Sequence, residues 1–480
     1  MALKCLNLNN INSAIKDTEF PVTRINKLAA ETENNIKKGT HEYDFEEIIR
    51  ADIAVAQDPD HGSITFARQL MALLCLPSSR NDPMFPSDVK SRVEELMNEC
   101  CGRSLGSYGE ALGMEGIRKH VAEFIEKRDG HPCNYENIYL GSGSYYILKH
   151  IIQFFAAVSD GKPSGVLKPT PGPPQYSWAI AQHRMKPVNY YLKYDADGWS
   201  IDIVELKRAL EESRKFCNPR IILINNPGNP TGHVLTKQNI EEIIKFAYSE
   251  NLFVIADEVY QNNSYSIDKE FVSFKKVLCD LGSPYDGLQI ASVMSSSKGY
   301  LGESGARGGF FELLNVDAEE RYVIYKLLSS NSCPTVGGQI YVDCLVNSPR
   351  KGDPSYELFI SEKNKIISSH RSKIQFITDS FEKTRGISSF KPEGAPFIFA
   401  QMEMPPKAVR EAESKNICPS EMYTTKLLRS TGICVSPGFI FGQRPGRYFF
   451  RMSALLPKIK LKSVVTKIQE FQESFLMKYK

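Results

Sequence analysis

From about residue 90 onward, short apolar runs alternate with stretches whose apolar residues recur at helical spacing. The runs at 138–140, 165–167, 187–191, 221–224, 253–256 and 289–294 read as strands. Between them, NIEEIIKFAYSE (239–250) places Ile240, Ile243, Ile244 and Ala247 on one helical face. Strand and helix in such alternation predict an α/β fold, with a mostly parallel central sheet covered by helices. Ligands of such sheets sit beyond the carboxyl ends of the strands. After about residue 340 the pattern changes. The loop NSPRKGDPSYE is followed by a long helix around 362–382, strands at 396–401 and 448–452, and a final helix with Val464, Ile468, Phe471 and Phe475 on one face. The expected organisation is an N-terminal arm with peripheral helices at 1–90, a large domain at 91–345, and a smaller α+β C-terminal domain at 346–480.

Composition narrows the function classes. The chain has 480 residues, 42% hydrophobic and 24% charged, so a mostly disordered chain or a fibre is excluded. The net charge is only +3, from 59 basic and 56 acidic side chains, too small a surplus for a dedicated nucleic-acid binder. None of the eleven cysteines stands in Cys-x-x-Cys spacing, which leaves a zinc ribbon or redox pair without support. No apolar run approaches the length of a membrane span. The first residues lack a signal-peptide core, and Asp17 and Glu19 do not suit a mitochondrial presequence, although the first 15 residues leave one open. The expectation is a cytoplasmic protein. No Gly-x-x-x-x-Gly-Lys phosphate loop, His-Glu-x-x-His metal motif or Gly-x-Ser-x-Gly elbow with a plausible triad occurs.

Four segments, each after a predicted strand, carry side chains able to do chemistry: NNPGNPTG (225–232), ADEVYQNN (256–263), MSSSKGYLGESGARGG (294–309) and FRMSALLP (450–457). Singly, the first reads as a turn, the second as a helix cap, and the third as a solvated lysine loop with a surface charge at Arg307. Together they match the needs of an aromatic aldehyde cofactor bearing a phosphate. Lys298 supplies an amine for a Schiff base, and Asp257 an anion that keeps a pyridine nitrogen protonated. Tyr260 and Asn229 supply donors toward a phenolate oxygen. Ser295, Ser297 and Arg307 surround the lysine as phosphate partners, and a helix N-terminus after 141–144 adds amides. Arg451 supplies a fork for an amino-acid carboxylate.

These segments resemble the fold-type I pyridoxal-phosphate aminotransferases, most closely the alanine aminotransferases. SSSKGYLGESGARGGFFE is similar to that family's Ser-x-Ser-Lys-Gly-Tyr-x-Gly-Glu-x-Gly-x-Arg-Gly-Gly signature, and ADEVYQNN, FVSFKKVL and FRMSALLP support it. The likeness runs from FEEIIRADIA (45–54) to the C-terminal helix. It implies a pyridoxal 5'-phosphate enzyme that moves an amino group from L-alanine to 2-oxoglutarate. Lys298 would be the Schiff-base lysine and proton shuttle, Asp257 the partner of the ring nitrogen, and Tyr260 and Asn229 the phenolate contacts. Ser295, Ser297 and Arg307 would hold the phosphate, and Arg451 the substrate carboxylate. Tyr108, in SLGSYGEALG, matches a tyrosine that reaches the phosphate from a neighbouring subunit, which implies a homodimer with shared sites.

Three positions depart from the family pattern. Tyr145 stands where the family has a phosphate-binding serine, with Ser144 one place earlier as a substitute. Pro173 stands where the family stacks an aromatic ring on the cofactor, while Tyr176 is retained. Ala54 replaces a glycine near the substrate carboxylate. These departures keep open a different 2-amino acid donor, or a degenerate homologue that binds without catalysis. In every reading the partners are small amino and 2-oxo acids rather than nucleic acid or membrane.

Overall fold

The computed structural model describes residues 11–16, 22–40, 42–53, 57, 59–195, 198–266 and 269–480. Eight strands form its main sheet. Phe253–Asp257 lies at the centre, parallel to Asn218–Asn225 on one side and to Ile290–Ser295 on the other. Lys162–Thr170 and Lys186–Tyr191 continue the parallel order outward. Both faces of these strands are apolar, as a sheet covered on both sides demands. Val166, Ile221, Leu223, Ile255 and Val293 pack toward the helices Ser144–Phe154 and Pro174–Gln182. Leu167, Ile222, Ile224, Val254 and Ala256 pack the other way, with Ile240, Ile243, Ile244 and Ala247 of the helix Lys237–Ser249. Thr236 caps that helix by accepting the Asn239 amide, a contact worth about 1 kcal/mol.

The strand Gly309–Leu314 was not anticipated. It runs antiparallel between Ile138–Gly141 and Ile290–Ser295. Its sequence, GFFELL, follows directly on the Gly-rich GARGG loop, and no turn signal separates the two. Lys162–Thr170 also outruns the expected 165–167, because the buried Lys168, Pro169 and Thr170 do not look like strand residues.

A second, antiparallel sheet orders Ile387–Ser389, Phe397–Met402, Phe449–Ser453 and Ser436–Pro437. The long helix Tyr356–Glu382 begins one and a half turns before its expected start. Of the C-terminal helix face, Val464, Ile468 and Phe475 are buried and Phe471 is partly so. The N-terminal segment joins this part of the molecule. Ile49–Arg50 pairs in parallel with Ile433–Cys434, and the Ser453 amide donates to the Ala51 carbonyl at 2.7 Å. Among the described residues no helix is long and apolar enough to cross a membrane.

Candidate active site

Sheet register brings the four segments together. Asp257 closes its strand opposite Asn225 on one side and Val293 on the other. Lys298 follows three residues after Ser295, the last of its strand. Gly309 pairs with Gly141, which sets Arg307 beside the turn into the helix Ser144–Phe154. Between the two sheets lies a cavity of about 310 Å³ lined by Asp257, Tyr260, Asn229, Asn225, Lys298 and Arg451. Tyr145, Ser144, Pro173, Tyr176, Val259, Phe397 and Asp52 complete much of its wall.

Each polar group is held by local structure. The Asn229 amide donates to Asn225 Oδ1 at 2.7 Å, and the turn is tightened by Gly232 donating to the Gly228 carbonyl. Gly228 admits no side chain, since a Cβ there would meet His233 Cε1 at 2.3 Å. Asn229 Oδ1 then accepts from Arg451 Nη1 at 3.1 Å, while Nη2 donates to the Asp52 carbonyl at 2.6 Å. The guanidinium carbon lies 4.2 Å from the Phe397 ring centre and 4.7 Å from that of Phe441. Nε of Arg451 is buried without a partner. Burial pulls this guanidinium down to about 10, against the influence of Tyr260 and Asp52.

The lysine loop is pinned by Ser296 donating to the Gly308 carbonyl and by Glu303 donating to the Ser296 carbonyl. Gly299, with φ +69, donates to Asn263 Oδ1 at 2.9 Å. The Glu303 side chain, whose role the sequence left open, pairs with Arg68 at 2.8 Å. Lys298 Nζ stands 5.7 Å from the Tyr260 ring centre. Burial, with Arg451 and Arg307 nearby, lowers the Lys298 amine to about 8, while Asp257 opposes the shift. The buried Tyr260 phenol is pushed well above its ordinary range.

Asp257 gives the sharpest test of which group the cavity fits. Burial pushes its carboxyl up to about 6, against the hydrogen bond from Tyr176. The Tyr176 hydroxyl donates to Oδ2 at 2.5 Å, yet Oδ1 is buried with no partner. A protonated ring nitrogen would satisfy that oxygen. At the other end, Gly143 (φ +89) opens the helix, and a Cβ there would meet Arg307 Nη2 at 2.3 Å. Arg307 also contacts the Ser142 and Ser304 carbonyls, so a cation and free helix amides share one corner. Cavity, amine, orphaned carboxylate oxygen and anion corner fit pyridoxal phosphate.

Not every expected residue reaches the cavity. Ser295, Ser297, Arg307 and Tyr108 are absent from its lining. The buried Ser295 hydroxyl is already engaged, donating to the Gly308 carbonyl at 3.1 Å and accepting the Ser297 amide at 3.0 Å. In this chain its first task is to shape the lysine loop. Tyr108 is 79% exposed, outside its own subunit's cavity. Ala54 lies outside the described residues. Sequence reasoning gave no role to Tyr176, Asn225, Asp52 or Phe397, since nothing in their spacing announces contacts that span tens to hundreds of residues.

A family model described as aminotransferase class I and II matches residues 79–468. The chain is 40% identical over 479 residues to alanine aminotransferase 1 of Homo sapiens, covering 99% of this chain and 96% of that protein. It is 36% identical over 479 residues to the mitochondrial alanine aminotransferase 1 of Arabidopsis thaliana, covering 98% of this chain and 88% of that one. A solved alanine aminotransferase from Pyrococcus furiosus superposes with a TM-score of 0.73 at 20% identity, covering 97% of this chain and all of the other, which is a likeness of fold.

Proposed function

The chain belongs to the class I and II aminotransferases, and on that premise we propose that it transfers the amino group of L-alanine to 2-oxoglutarate, giving pyruvate and L-glutamate. It is a pyridoxal-phosphate-dependent transaminase. One observation carries the assignment to this site: Lys298, the Oδ1 of Asp257 that lacks a partner and the guanidinium of Arg451 border one cavity. The cofactor, when bound, supplies an electron sink that acidifies the substrate's Cα.

The protein's own groups do the rest. Nζ of Lys298 would hold the cofactor covalently and is the amine placed to take the proton from the substrate Cα. Its amine, lowered to about 8, is partly neutral near physiological pH and so can act as a base. Oδ1 of Asp257 would hold the proton on the cofactor's ring nitrogen. Tyr260 and Asn229 donate toward the phenolate oxygen. Ser144, Ser297, Arg307 and the amides at the helix start hold the phosphate, and Ser295 supports them by fixing the lysine loop. Arg451 receives the substrate α-carboxylate; the Phe397 and Phe441 rings pack against its planar fork and hold it in place. Tyr108 acts from the second subunit of a homodimer. The large cofactor domain spans 91–345 and the small domain 346–480, in a cytoplasmic protein.

Purified protein loaded with pyridoxal phosphate should show a near-ultraviolet or visible band that L-alanine bleaches. Lys298→Ala should abolish both covalent attachment and turnover. The side chains of Tyr145 and Pro173 in the cavity wall favour a second reading, an aromatic or other 2-amino acid donor. A band insensitive to alanine but bleached by another donor would replace the first reading with the second.

A further inference from the structure

Asp257 can meet a ring nitrogen only if its carboxylate is turned correctly and stays ionised. Its main chain is fixed, because Asn225 Nδ2 and the Asn226 amide both donate to the Asp257 carbonyl at 3.1 Å. That leaves the side-chain torsion free to choose which oxygen faces the cavity. Tyr176 makes the choice. It stands in the first turn of the helix Pro174–Gln182, and its hydroxyl donates to Oδ2 at 2.5 Å. Both residues are buried, at 2% and 5% exposure. The other oxygen, Oδ1, is left without a partner beside the cavity.

We propose that Tyr176 is the positioning residue of this site: its phenol fixes which carboxylate oxygen Asp257 offers to the cofactor's ring nitrogen and holds that carboxylate as the anion. The proposal rests on the functional reading above. A hydrogen bond donated to a carboxylate favours its charged form, and at Asp257 the phenol contributes more to this than the Val259 amide or the Lys298 charge, which act in the same direction. Without the phenol, the proton shared between Asp257 and the ring shifts toward the carboxyl, and the ring loses part of its electron demand. Tyr190 is the natural control. It is equally buried, and its hydroxyl donates to the Leu223 carbonyl at 2.9 Å, away from Asp257.

The test compares Tyr176→Phe and Tyr190→Phe with the unaltered protein, each loaded with pyridoxal phosphate. The reading is the pH at which the visible band of the bound cofactor changes, together with kcat and KM for alanine. Tyr176→Phe should move that pH upward by about one unit, the scale of one charge-assisted hydrogen bond. It should lower kcat more than it raises KM. Tyr190→Phe should leave the band's pH dependence in place. If Tyr176→Phe titrates like the unaltered protein, or if both variants shift alike, the positioning role is overturned while the enzyme assignment stands. If the unaltered chain takes up no pyridoxal phosphate, both fall.

Discussion

Arg451 shows how much one side chain depends on its surroundings. Its two terminal nitrogens are steadied by Asn229 and the Asp52 carbonyl, and two aromatic rings flank its plane. A lysine would keep the charge but lose the fork. Arg451→Lys should therefore raise KM for alanine by roughly 10- to 100-fold, the worth of one charge-assisted hydrogen bond, with a smaller loss in kcat; steady-state kinetics would check it. At this scale the sequence was informative where a residue's chemistry is rare. Lys298, Asp257, Tyr260, Asn229 and Arg451, far apart in the chain, do border one cavity. It was silent where a residue matters through a partner. Tyr176 reads as a retained position of the family pattern with no stated task until its hydroxyl is seen on Asp257. Ser295 reads as a phosphate ligand, and its hydroxyl also ties the lysine loop to the Gly308 carbonyl, which no motif announces.

Among elements, short continuous apolar runs exposed most of the parallel strands, and apolar spacing of three and four the helix at 237–249, because a strand covered on both faces is apolar throughout and a half-buried helix only on one face. It hid Gly309–Leu314, whose direction depends on pairing rather than composition. Contacts between helices were likewise hidden. Asp343, on Val336–Val346, accepts from His120 Nδ1 on Glu115–Asp129 at 2.7 Å and from Arg92 on Ser87–Glu99 at 2.9 Å. Asn347 also faces His120, and Glu123 adds its charge. The hydrogen bond to Asp343 raises the imidazole above its ordinary 6.5, against burial and Arg92. The folded protein thus binds this proton more tightly than the unfolded chain. The contribution is complete below the ordinary value and fades as pH rises through the raised one. His120→Ala should cost more in melting temperature near pH 6 than near pH 9, as calorimetry at the two values would show.

For the whole molecule, Tyr108 is exposed and lies outside the cavity, and its proposed task belongs to a second subunit. The homodimer proposal predicts a sedimentation-equilibrium mass twice 54.1 kDa. It also predicts that Tyr108→Phe weakens cofactor retention although Tyr108 lies outside its own subunit's cavity; a monomeric mass would refute it. The start of the chain carries a different consequence. Ala51 and Asp52 lend their carbonyls to Ser453 and Arg451 across some four hundred positions, on a segment stitched in place by the pairing at 49–50. An expression clone trimmed past residue 48 would lose a wall of the reaction chamber along with its leading end. Tags and cleavage sites placed upstream of that point leave those hydrogen bonds untouched.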